Sequence, residues 1–233
     1  MWLELLSIAP VVGFLCIDRV SVGQTMFSQP IIAIPLLAAW FGQFETGLLA
    51  GCILQLYWLN SNLYGANIPA NETMASLSAV GAALVLTSRV DSPSLVFWVL
   101  AFLISAPSAK WAQLLQRRLD FMNASLSERL VEKVEKGQPV HLFLDLGWSL
   151  SRSFFAHSLL AFITLSLTTL VLLSVSEFSS DSMDETLGFV KEFLLPALAL
   201  AVSLTLIRRR LFLGIGLIVM IVLGTFSQVS GGL

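Results

Sequence analysis

Residues 28–72 read SQPIIAIPLLAAWFGQFETGLLAGCILQLYWLNSNLYGANIPANE. The first part is apolar enough for a membrane helix, yet Pro30 and Pro35 cut it, and Gly42, Gln43 and Glu45 follow. Each proline removes a backbone donor. In lipid an unpaired backbone group costs several kcal/mol, so a break survives only where protein or a water-filled cavity covers it. The stretch therefore predicts either a broken, re-entrant helix or a kinked span followed by a short loop at Gln43–Thr46. Further on, Gly47, Gly51, Gln55, Trp58 and Asn62 recur at helical spacing and share one helix face. Small residues at the start of that stripe let another backbone approach closely. Gln55, Trp58 and Asn62 then add amides and an indole. Amides both donate and accept, as sugar hydroxyls require, and an indole face packs against a sugar ring. Interhelical hydrogen bonding would instead use Gln55 and Asn62, at about 0.6–2 kcal/mol each. Gly65, Asn67, Pro69 and Asn71 argue a turn or unwound backbone. That run fits either a plain external loop or a polar elbow dipping toward a cavity. Its neighbours favour the elbow, since the helix after it carries Ala75, Ala79 and Ala83 on one side and so packs against protein.

The rest of the chain agrees with a membrane setting. Of 233 residues, 56% are hydrophobic and only 12% charged, against about 25% charged in soluble domains. Mean hydropathy is +0.85. Apolar runs recur at 20–41, 93–116, 153–176, 186–207 and 211–229, each near the roughly 20 residues that cross a bilayer as a helix. The fold class is all-α: a polytopic helical membrane protein with broken or re-entrant helices near residues 28–72. We divide it as one membrane domain, 1–233. Within it lie a substrate-contacting broken-helix core near 20–90, a cytoplasmic connector helix at 117–140 and C-terminal transmembrane helices over 153–229. The N-terminus, MWLELLSIAPVVGFLCIDR, has no positive leading region and no small-residue cleavage site, so it reads as a retained membrane segment. Cys16 and Cys52 have no metal or redox spacing and read as buried free thiols.

Charge sets the expected orientation. Ten of the thirteen Lys and Arg residues lie in 110–152 or at Arg208–Arg210, while EFSSDSMDE (177–185) has none. The positive-inside rule places 117–140 and 208–210 in the cytoplasm and 177–185 outside. Arg89 lies apart from both clusters, with Asp91 as the expected partner. SLSE at 125–128 reads as a capping box that starts the connector helix at Ser125. Glu132 and Lys136 form an i,i+4 pair, and Gly137 and Pro139 stop the helix. The connector serves either as a solvated link or as a docking surface for a cytosolic partner.

Gln29-Pro30, Ile34-Pro35-Leu36, Gly42-Gln43, Thr46-Gly47, Gly51, Gln55-Leu56, Gly65-Ala66, Pro69 and Asn71 keep a recognisable order and spacing. In this the chain resembles the IIC membrane subunit of the mannose–fructose–sorbose branch of the sugar phosphotransferase system. The resemblance covers about residues 20–90. It implies a translocator in the bacterial cytoplasmic (inner) membrane. It also implies a IID membrane subunit as partner, soluble IIA and IIB subunits relaying phosphate from phosphoenolpyruvate to the sugar, and assembly of several IIC–IID pairs. A mobile, substrate-carrying core would slide against a scaffold, and no phosphate would sit on this subunit. The family's Glu before Leu is Gln55 here, its Asp after the prolines is Asn71, and the Asp of its Gly-Asp is Gln43. An amide loses charge-assisted strength, roughly twofold per bond, and carries a donor where a carboxylate only accepts.

The substrate-contacting residues expected from this are Gln55, Trp58, Asn62, Asn67 and Asn71, with the broken helix shaped by Pro30, Pro35, Gly42, Gly47, Gly51, Gly65 and Pro69. No metal, cofactor or nucleic acid is expected. The chain lacks G-x-x-x-x-G-K-[ST], H-E-x-x-H, C-x-x-C and G-x-S-x-G, and its histidines, His141 and His157, are isolated. His141 reads as solvated and His157 as structural, with a polar gate as its functional alternative. The rival to sugar translocation is a membrane assembly or sensory subunit that kept the fold and lost transport.

Overall fold

The computed structural model describes residues 1–19, 21–59, 68–89, 96–176 and residue 197. Among these residues it has seven helices and no strand. They are α1 (Trp2–Asp18), α2 (Pro30–Trp40), α3 (Phe44–Trp58), α4 (Glu72–Thr87), α5 (Val96–Ser105), α6 (Ser108–Glu135) and α7 (Leu142–Ser176). The expected C-terminal spans at 186–207 and 211–229, the loop at 177–185 and the triple Arg208–Arg210 lie outside the described residues, apart from Ala197.

Helix α4 is the axis. Its alanines, glycine and serines carry little bulk, so neighbours close in on every side, and Thr73 to Thr87 are all buried. Ala75 O accepts from Ser105 Oγ on α5 at 3.0 Å. Ser78 Oγ meets Thr164 Oγ1 on α7 at 2.9 Å. A methyl on Gly81 would press on Leu165 of α7 and Ile8 of α1, at 2.9 and 3.3 Å. The Ser78–Thr164 contact is a buried interhelical hydrogen bond. A double-mutant cycle of Ser78→Ala and Thr164→Ala, read by thermal unfolding in detergent, should return a coupling of about 0.6–1.7 kcal/mol; zero coupling would remove the bond from the packing account.

The stretch from 28 to 58 folds as a helical hairpin. Pro30 sits at the first helical position of α2, where its missing N–H costs nothing. Gly42 turns the chain at φ +72°, a left-handed conformation that only glycine adopts without strain. Helix α3 returns along α2, and glycine sets their separation. A methyl on Gly47 would overlap that of Ala38, and one on Gly51 would lie 3.0 Å from Pro30 O and 3.2 Å from Pro35 Cδ. At 1.5 Å per residue, α2 and α3 reach about 16 and 22 Å, short of a hydrocarbon core about 30 Å thick. Among the described residues only α7 is long and apolar enough to cross, with an eighteen-residue window of mean hydropathy 2.2.

Hydrogen bonds align the helix ends. At the connector end, Thr73 Oγ1 donates to Ser28 O at 2.8 Å, and Asn71 N to Ala109 O at 3.0 Å. At the hairpin-tip end, Gln43 Nε2 donates to Thr87 Oγ1 at 3.3 Å, and Arg89 pairs with Glu4 at 2.9 Å.

Several expectations need correction. The apolar run 20–41 yields only the eleven-residue α2. Residues before it form a loop with positive φ at Gly23, Gln24 and Met26, held by Asp18 Oδ1, which accepts from Thr25 N (3.2 Å) and Thr25 Oγ1 (2.8 Å). The run 93–116 is broken, with α5 ending at Ser105 and α6 starting at Ser108 behind Pro107. Ser125 caps nothing: α6 is already helical there, and its hydroxyl donates to Met122 O within the helix. Helix α7 begins at Leu142, ahead of the apolar run at 153. Arg89 pairs with Glu4 rather than with Asp91, which lies outside the described residues. The Glu132–Lys136 pair and the stop after Glu135, with Gly137 at φ +68°, are present.

Candidate functional site

Two helix starts meet at the connector end. The first turn of any helix presents backbone N–H groups with no partner inside the helix. In α2 the first such donor after Pro30 is Ile31. Gln55, one hairpin arm away on α3, supplies the acceptor through Oε1 at 3.3 Å. That bond leaves the two Nε2 hydrogens of Gln55 for another partner. Three residues earlier in the chain, Ser28 O takes the hydroxyl of Thr73 from the first turn of α4. Residues 28–31 are thus held from two sides, by α3 and by α4.

The start of α4 is itself capped. Asn71, buried and with extended backbone, accepts the Met74 N–H at 3.1 Å through Oδ1. The same oxygen receives the Cys16 thiol at 3.8 Å. Asn71 therefore has a folding role whatever else it does. Asn71→Ala should lower stability by about 1–2 kcal/mol, while Asn71→Asp, which keeps the acceptor, should stay close to wild type. Thermal unfolding of both purified variants checks this; equal losses would contradict the cap.

Trp58 ends α3. Its ring meets Tyr57 edge to face at 5.1 Å, and Tyr57 meets Phe102 of α5 in the same way at 5.0 Å. The Trp58 indole Nε1 is buried and has no hydrogen-bond partner among the described residues. Leaving a buried donor unmet costs about 1–3 kcal/mol.

Of the expected site residues, Gln55, Trp58 and Asn71 thus fall at the connector end, with Pro30 and Pro69 also in this region. Pro35, Gly42, Gly47 and Gly51 shape the hairpin. Asn62, Asn67 and Gly65 lie outside the described residues.

Three features of this end were not anticipated. Gln113 of α6 is buried, donates through Nε2 to Ile68 O, and leaves Oε1 without a partner among the described residues. Its signal was an amide near the end of an apolar run. Thr73 ties α4 to the start of α2. A pair nearly out of solvent, Arg19 and Glu72, bridges α1 to α4 at 3.6 Å. A separate cleft of about 270 Å³ opens between α6 and α7, beside Asn123, Leu126, Leu142, Leu146 and Ser149. None of the expected site residues lines it.

Comparisons with known proteins fit this architecture. A family model described as "PTS system sorbose-specific iic component" matches residues 2–229. A solved chain described as "Structure of membrane protein" superposes with a TM-score of 0.61 at 16% identity, covering 99% of this chain and 92% of that one. Another, described as "CryoEM Structure of Mannose Transporter ManYZ and Microcin E492 (MceA) complex", superposes with a TM-score of 0.51, at the same identity and coverage. No curated protein sequence matches the chain.

Proposed function

Because the chain belongs to the family of sorbose-specific IIC components of the phosphotransferase system, we propose that it moves a hexose or amino sugar across the membrane together with a IID partner. Cytosolic IIA and IIB subunits would carry the phosphoryl group, so this chain would translocate without performing covalent chemistry. The membrane would be the bacterial inner membrane. The connector end, which carries Arg117, Arg118, Arg129, Lys133 and Lys136, would face the cytoplasm. The chain would work within an oligomer of IIC–IID pairs.

The observation that carries this proposal is the convergence of polar groups on the start of α2. Gln55 binds Ile31 N, and Thr73 binds Ser28 O. Trp58 Nε1 and Gln113 Oε1, which have no hydrogen-bond partner among the described residues, lie at the same end of the bundle. Buried polar atoms without partners are costly, and a sugar offers hydroxyls able to satisfy both donors and acceptors. Gln55, Trp58 and Asn71, with Asn62 and Asn67, would contact the substrate. The amides at 43, 55 and 71 would make its recognition one of neutral hydrogen bonds.

A non-transporting assembly or sensory role is favoured by one observation: Asn71 Oδ1 is already used by Met74 and Cys16. Sugar uptake in a deletion strain separates the two. Restoration of uptake by the wild-type chain, with IID-, IIA- and IIB-type proteins copurifying, supports translocation. Copurification without any uptake supports the assembly role.

A further inference from the structure

The first half of α6 carries a second surface, apart from the expected sugar-contacting residues. At 100° per residue, Lys110, Trp111, Leu114, Arg117, Arg118, Phe121 and Met122 fall within an arc of about 140°. All seven are exposed, and Phe121 is 77% exposed. The opposite arc, Ala109, Ala112, Gln113, Gln116 and Leu119, is buried. Asp120, the sole acidic residue of 108–124, accepts from Gln116 Nε2 at 2.7 Å on that packed side. The exposed arc therefore mixes large apolar groups with three cations and has no acid. Among the described residues none of Lys110, Arg117 and Arg118 forms an ion pair.

The arc also lies at the right depth. Helix α6 starts beneath α4, through the Asn71–Ala109 bond. By Asn123 it has reached Ser149 and Arg152 of α7, at 2.7 and 2.5 Å. Those are among the last residues before the apolar run at 153–176. Residues 110–122 thus sit where hydrocarbon gives way to water. Bulk water would penalise Trp111, Leu114 and Phe121, and hydrocarbon would penalise the three cations. A boundary lined with phosphate satisfies both, with aromatic rings at headgroup level and basic side chains extended toward the anions.

We propose that this arc binds the headgroups of anionic phospholipid, with Lys110, Arg117 and Arg118 on the phosphates and Trp111, Leu114 and Phe121 among the upper acyl carbons. Each cation near an anionic surface contributes roughly fivefold in affinity, so the three together should favour anionic over zwitterionic lipid by tenfold or more.

The test uses purified full-length protein in neutral detergent, with its unfolding midpoint followed as phosphatidylglycerol, phosphatidylcholine or inorganic phosphate is added. Phosphatidylglycerol should stabilise at roughly a tenth or less of the phosphatidylcholine concentration, and phosphate alone should do nothing. K110Q/R117Q/R118Q should erase the difference between the lipids, and R129Q/K133Q/K136Q, on the distal half of α6 and its C-cap, should keep it. Equal response to both lipids, equal loss in both triple variants, or the same shift from free phosphate would each overturn the proposal. Should the first triple variant not fold, a nitroxide on Leu114→Cys in membranes gives an independent readout. High collision with oxygen and low collision with a nickel chelate is expected. Low collision with both would mean that a protein partner covers the arc, and high collision with the chelate would mean that water does; either result contradicts lipid binding.

Discussion

Gly13→Leu is expected to leave almost no folded protein in the membrane fraction. Gly13 faces α7 so closely that a methyl there would overlap Ser158 Oγ and lie 2.8 Å from Ser158 N and 2.9 Å from Ser158 Cα. A side chain can rotate away, but the backbone of a thirty-five-residue helix cannot shift locally. The cost therefore falls on the whole α1–α7 contact. Overpacking in a close-packed interior costs about 1–3 kcal/mol for modest insertions and more when backbone is in the way. Gly13→Ala should show the lower part of that range as a reduced unfolding midpoint. Ser158→Ala should not rescue it, because the backbone atoms remain. Size-exclusion profiles and thermal unfolding of the solubilised variants measure this. A monodisperse Gly13→Leu protein with an unchanged midpoint would mean that α1 and α7 are not packed as described.

Gln55→Leu should abolish sugar uptake while leaving expression and membrane insertion near normal. Leucine keeps the volume and the apolar packing of α3 but offers Ile31 N no acceptor and a substrate no amide. The lost backbone cap costs about 0.5–1.5 kcal/mol, which a membrane bundle can absorb. Loss of a hydrogen bond to a hydroxyl-bearing substrate matters more for uptake, since it weakens binding about tenfold or more at a loss of about 1.4 kcal/mol. Gln55→Glu preserves the acceptor for Ile31 N and should retain part of the uptake with an altered preference among sugars. Uptake of labelled hexose in a strain lacking the native gene, normalised to membrane protein, is the measurement. Full uptake by the leucine variant would remove Gln55 from the site.

Much of the hairpin could be read from residues 28–72, because local chemistry decides it. Gly42 marks a left-handed turn, and Gly47 and Gly51 recur at one turn's spacing to admit a second backbone. Pro30 opens α2. Packing of α4 against protein was legible on the side that carries Ala75, Ala79 and Ala83, while its burial on the other sides was not. Other features depend on what lies far off in sequence. Nothing near Arg89 indicates Glu4, and nothing near Gln113 indicates Ile68. Ser125 and Glu128 match a capping box, but such a pair caps only when the preceding backbone is not helical, and here α6 had already formed. Asn71 was legible as a helix cap, since an asparagine precedes Glu72 and Thr73 at the head of an apolar helix. Its amide instead drew attention as a ligand contact, and hydrogen-bonding capacity alone does not separate the two roles.

Direct binding of sugar is the sharpest test of the central claim that the start of α2 and its partners receive a carbohydrate. Labelled hexoses and hexosamines would be equilibrated with the purified full-length chain and its membrane partner, wild type beside Gln55→Leu and Ser78→Ala. Saturable, competable binding of at least one sugar is expected, weakened roughly tenfold or more by Gln55→Leu, as loss of about 1.4 kcal/mol would give, and little changed by Ser78→Ala. Absence of saturable binding for every sugar, or equal affinity in wild type and Gln55→Leu, would contradict it.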